Sequence, residues 1–134
     1  MTKQEVRKKW VEALRSGEYK QGRGALNKDN KFCCLGVLCD LAVKEGVIPP
    51  PTKGTISPYY LYGTGDHKVS GVLPQEVMDW VGARSGAGEF WEPRYRTLAG
   101  INDSDDSTFE EIASIIESEP RGLFVEEKND EERS

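Results

Sequence analysis

The segment Phe90-Trp91-Glu92-Pro93-Arg94-Tyr95-Arg96-Thr97-Leu98 places three aromatic rings and two guanidinium groups within nine residues. Ring faces stack on a base and guanidinium forks take phosphate oxygens, so one short stretch offers both halves of nucleotide recognition. The competing reading is a plain strand with Phe90 and Trp91 inward and the arginines in water. Two other stretches offer similar chemistry. Tyr59-Tyr60-Leu61-Tyr62 could form a stacking wall, or pack on the core with wet hydroxyls. Gly22-Arg23-Gly24, with Lys20 nearby, would let backbone N–H groups approach an anion. It lacks the G-x-x-x-x-G-K-[ST] spacing of a phosphate loop, so a flexible connection is the preferred reading. The candidate ligand-binding set is therefore Lys20, Arg23, Tyr59, Tyr60, Trp91, Arg94, Tyr95 and Arg96.

Catalytic text is sparse. The single histidine, His67, lies in a Gly/Asp-rich loop, and neither a G-x-S-x-G elbow nor a Cys-His arrangement is present. Glu110 and Glu111, like Glu76 and Asp79, fall on the outer faces of expected helices and read as solvated carboxylates. Asn102-Asp103-Ser104-Asp105-Asp106 resembles a calcium loop only superficially, because the glycine and the terminal glutamate of an EF-hand are missing, so a polar turn is expected. The three cysteines, Cys33, Cys34 and Cys39, include no C-x-x-C pair, and neighbouring Cys33 and Cys34 cannot form a disulfide framework. Buried structural thiols are expected, with no metal, no cofactor and no enzymatic activity.

Charge narrows the partners. The net charge is −5, yet residues 1–32 hold nine Lys/Arg against four Asp/Glu, while residues 33–134 hold nine against nineteen. General duplex binding draws its affinity from many phosphate neutralisations and is disfavoured by this balance; one local anion site is not. No stretch approaches the roughly 18 to 20 apolar residues of a membrane span, and the amino terminus reads as an amphipathic helix rather than a signal peptide, so a cytosolic location is expected.

The elements that must position these residues follow from periodicity. Phe32-Cys33-Cys34-Leu35-Gly36-Val37-Leu38-Cys39-Asp40-Leu41-Ala42-Val43 is apolar nearly all the way round and predicts a core helix, with Gly36 marking close approach of another backbone or ring. Capping boxes at Thr2–Glu5 and Thr108–Glu111 open two more helices, whose apolar stripes run through Val6, Trp10, Ala13 and Leu14 and through Phe109, Ile112, Ala113 and Ile116. Pro74 and Gly82 bracket a fourth. The spacing thus predicts helices over 3–16, 34–45, 74–82 and 108–118. Lys28-Asp29-Asn30 has the turn chemistry of a small hairpin, and a further short strand pair is expected around Gly63-Thr64-Gly65-Asp66. The expected architecture is a single α+β domain over 1–125, with two or three short antiparallel strand pairs and a disordered acidic tail over 126–134.

Trp10-Val11-Glu12-Ala13-Leu14-Arg15-Ser16-Gly17, Tyr19-Lys20-Gln21-Gly22, Phe32 to Cys39, Leu73-Pro74 and Ile101-Asn102-Asp103-Ser104 together resemble an uncharacterised family of small phage and prophage proteins. The resemblance spans most of residues 5–118 and brings no catalytic residues. It implies a viral setting, the cytoplasm of an infected bacterium, and a role in host takeover or anti-defence. Two functions are compatible with it: sequestration of a phosphorylated nucleotide signal without catalysis, best enclosed within a homo-oligomer, and inhibition of a host or defence protein through the acidic surface.

Overall fold

The computed structural model describes residues 1–53, 59–104 and 106–126. Its centre is the cysteine helix. In chain order the elements are α1 (Lys3–Arg15), β1 (Asn27–Lys28), β2 (Lys31–Phe32), α2 (Cys34–Lys44), β3 (Thr52–Lys53), β4 (Tyr60–Leu61), α3 (Gln75–Val81), β5 (Glu89–Phe90), β6 (Arg96–Thr97), α4 (Leu98–Asp103) and α5 (Phe109–Ser118). The strands form three separate antiparallel pairs, β1–β2, β3–β4 and β5–β6, which makes an α+β fold.

Helix α2 is buried from Cys34 through Cys39 and again at Ala42. Helices α1, α3 and α4 pack around it, and α5 lies along α1. Trp10 of α1 is buried against it, and its indole Nε1 donates to the Cys34 carbonyl at 2.9 Å. An indole so enclosed combines a large apolar surface with a satisfied N–H, which is the condition for burying it without penalty. The expectation at Gly36 is met by backbone: a Cβ there would stand 1.8 Å from the Leu26 carbonyl oxygen. Only glycine lets the hairpin strand lie directly on the helix.

Both capping boxes are formed. Thr2 Oγ1 accepts from Glu5 N at 3.1 Å while Glu5 Oε1 accepts from Thr2 N, and Thr108 and Glu111 repeat the pattern. The 27–32 hairpin turns through Asp29 and Asn30 at φ 55° and 64°, the left-handed pair that matches strand twist in a two-residue turn. Asn27 Oδ1 accepts from Asn30 N at 2.9 Å and holds that turn closed.

Three local expectations change. A fifth helix, α4, occupies residues expected to end a strand and open a polar turn, because Thr97 Oγ1 caps it by accepting from Gly100 N. Around residues 63–66 the chain makes a single antiparallel bridge, Tyr62 to Val69, while β4 pairs with β3 instead. Trp91 is not turned inward beside Phe90: Phe90 is buried, whereas Trp91 remains 41% exposed. The acidic tail expected over 126–134 lies, from residue 127 onward, outside the described residues.

Candidate functional site

The β5–β6 hairpin and the two helices after it create a groove of about 690 Å³. Arg94, Tyr95, Arg96 and Thr97 form one wall; Gly100 and Ile101 of α4, then Ser104, Asp106, Ser107, Glu111 and Ile115, form the others. Strand pairing sets this up, since Phe90 opposite Arg96 turns the phenyl ring into the core and leaves the guanidinium over it, 5.7 Å from the ring centroid. The Nε of Arg96 is buried and, among the described residues, has no hydrogen-bond partner. A buried guanidinium N–H without an acceptor is costly, so a shift of the side chain that brought it to a ligand oxygen in the groove would recover a charge-assisted bond. Tyr95 stands 55% exposed at the mouth. Its hydroxyl donates to Glu89 Oε2 at 2.8 Å, and that bond raises the phenol's pKa.

Trp91 belongs to an adjoining cleft of about 380 Å³ with Arg84, Arg121 and Gly122. Its ring abuts the Gly122 backbone, and the Arg84 guanidinium lies 5.4 Å from its centroid. The Trp91 and Tyr95 rings are 6.0 Å apart and inclined at 58°, so the two cavities meet at an aromatic corner.

The remaining candidates are placed elsewhere. Arg23 donates from Nε to the Ser104 carbonyl at 3.0 Å and from Nη2 to the Ser107 carbonyl at 3.1 Å. Gly24 N donates to Asp103 Oδ1 at 2.8 Å. The glycine-flanked arginine therefore braces the turn behind the groove, and the anion its loop holds is a side chain of the chain itself. Lys20 is exposed, and its carbonyl accepts from Phe32 N at 2.8 Å. Tyr59 and Tyr60 sit on the β3–β4 side, where Lys28 and Lys53 approach their rings. None of these four lines the Arg94–Arg96 groove.

Two residues that matter here escaped the sequence reading. Asn102, fully buried in α4, accepts at Oδ1 from Cys34 N (3.0 Å) and Gln21 Nε2 (3.1 Å), and donates from Nδ2 to the Gly22 carbonyl (2.9 Å). Cys33 gives α2 no side-chain cap, so the amide of Asn102 supplies one from across the fold. Arg7, only 6% exposed, donates from Nε to the Val81 carbonyl at 2.9 Å and lies 3.8 Å over the Phe124 ring. Among the described residues its Nη2 lacks a hydrogen-bond partner, but the aromatic face already receives the cation. The signal for Arg7 was its spacing with Val11 and Leu14, which puts it on the buried stripe of α1.

The thiols are enclosed as expected. Burial pushes Cys33 up to about 11 and raises Cys34 and Cys39 well above the ordinary thiol range, which leaves poor nucleophiles.

The model of a domain of unknown function, DUF8296, matches residues 2–120. The chain belongs to the DUF8296 family. The match takes in α1 through α5, hence all the walls of the groove and the Asn102 cap. No curated protein and no solved structure matches this DUF8296 chain. Among the described residues, no helix is long and apolar enough to cross a membrane.

Proposed function

We propose that this DUF8296 protein binds a phosphorylated nucleotide in the Arg94–Ile115 groove and holds it without reacting. The observation that carries the reading is that Arg96, whose buried Nε has no hydrogen-bond partner among the described residues, lines one cavity with Arg94 and Tyr95. Its volume of about 690 Å³ falls within the usual range for small-molecule sites, and Tyr95 at its mouth offers a ring face to a base. The resemblance to phage and prophage proteins gives such binding a purpose, the removal of a host signal in the cytoplasm of an infected bacterium. A second copy of the chain would close the open side of the groove.

Calorimetry against linear and cyclic mono-, di- and trinucleotides tests this directly. We expect one class to bind, and Arg94→Ala and Arg96→Ala each to weaken it by about 1.5 to 3 kcal/mol, the range of charge-assisted hydrogen bonds. The alternative, an inhibitor of a host or defence protein, is expected on the acidic surface, whereas exposed Trp91 flanked by Arg84 and Arg121 offers it a different patch of residue types that dominate binding hot spots. No heat across the panel, with a stoichiometric host protein retained by wild type and lost on Trp91→Ala, would decide for the inhibitor.

A further inference from the structure

The groove's own bonds leave two sets of open groups. Thr97 Oγ1 accepts from Gly100 N, Ser107 Oγ donates to the Asn102 and Ser104 carbonyls, and Ser104 Oγ donates to Asp106 Oδ1 at 3.2 Å. Glu111 Oε1 accepts from Thr108 N at 3.1 Å. Among the described residues, that leaves the donors of Arg94, just before β6, and Arg96, within it, and the second carboxylate oxygens of Asp106, before α5, and Glu111, in its first turn. No ion pair among the described residues joins either arginine to either carboxylate, although all four line one cavity. Opposite charges held across a groove without closing on each other suit a ligand that is itself anionic at one end and donor-bearing at the other. A simple anion such as pyrophosphate would gain at the arginines and be repelled by Asp106 and Glu111.

Resting on the nucleotide reading of this groove, we infer that Asp106 and Glu111 are its specificity-determining residues. They select nucleotides that present hydrogen-bond donors opposite the phosphate. Two parts of a nucleotide carry such donors on neighbouring atoms, as a carboxylate's two oxygens prefer: the guanine edge, with N1–H and the 2-amino group side by side, and the ribose 2′,3′-diol. Either gives a carboxylate the charge-assisted bonds it otherwise draws from water. Ile101 and Ile115 supply apolar surface in the same groove.

The test is calorimetry of the full chain with GMP, IMP, which lacks the 2-amino group, and 2′,3′-dideoxy-GMP. Asp106→Asn and Glu111→Gln serve as variants, since each keeps an oxygen for its internal partner, Ser104 Oγ or Thr108 N. We expect wild type to bind GMP and each variant to bind it about tenfold more weakly. The loss should vanish for the analogue that lacks the recognised donors, which tells base from sugar. Unchanged or tighter GMP binding by both variants would show carboxylates that only repel phosphate, and would overturn the inference. Equal wild-type affinity for GMP, IMP and 2′,3′-dideoxy-GMP would overturn it too, while sparing the nucleotide reading; binding of no nucleotide would remove both.

Discussion

The Asn102 cap and the Arg94–Ile115 groove lie on the two sides of the same short helix, and they treat polar groups in opposite ways. At the cap, a side chain with no exposure has its acceptor and donors engaged by Gln21, Gly22 and Cys34. In the groove, an arginine Nε just as hidden from water has no partner among the described residues. Buried polar groups cost stability unless they are satisfied, so the cap reads as structure and the groove as a place left ready for something else. The comparison also shows why Arg23, adjacent in sequence to the capped loop, is a poor ligand residue: the fold has already used it.

The comparison breaks most visibly at the packed side. Gly36→Ala would drive a methyl group into the Leu26 carbonyl, and because backbone cannot step aside like a flexible side chain, we expect a loss above about 3 kcal/mol in urea unfolding. Asn102→Ala should cost about 3 kcal/mol, since it strands the Cys34 N–H and the Gly22 carbonyl without water. A near-neutral Asn102→Ala would mean that solvent reaches the cap.

Alkaline titration gives a similar but reversible effect. The Cys33 pKa rises from an ordinary 9.0 to about 11 on folding, so the unfolded chain loses its proton first. The resulting stability is complete below pH 9 and disappears as pH climbs towards 11, by about 3 kcal/mol for Cys33 alone. Unfolding free energy measured between pH 8 and 11 checks this, and Cys33→Ala should flatten the slope. The smallest effect belongs to the groove: Arg94→Ala, which removes an exposed side chain, should alter stability by less than about 0.5 kcal/mol. A larger loss would make the groove's arginine structural and erase the contrast.

Legibility in the sequence followed the range of the interaction. Both capping boxes, the core cysteine helix, the Asp29-Asn30 turn and the close approach at Gly36 are written in residues a few positions apart, or in a glycine whose absence of a side chain is itself a signal. Asn102 could not be read, because its partners lie 68 to 81 positions away and nothing local distinguishes it from an ordinary polar turn. The site was half legible: Arg94, Tyr95 and Arg96 share a cavity, while Trp91 faces the next one, Tyr60 belongs to another strand pair and Tyr59 bridges to Lys28. Composition can nominate rings and cations, but strand register decides which of them meet.

The distance spanned by Asn102 also bears on how the chain acquires its structure during synthesis. A ribosome releases α1, the first hairpin and α2 well before residue 102 emerges, so the amino end of the most apolar helix remains without its cap while α1 and the hairpin are already there to pack on it. A chain that ends before α4 is therefore expected to carry an uncapped α2 and to be cleaved by protease more readily than the whole protein, which limited proteolysis of residues 1–97 checks.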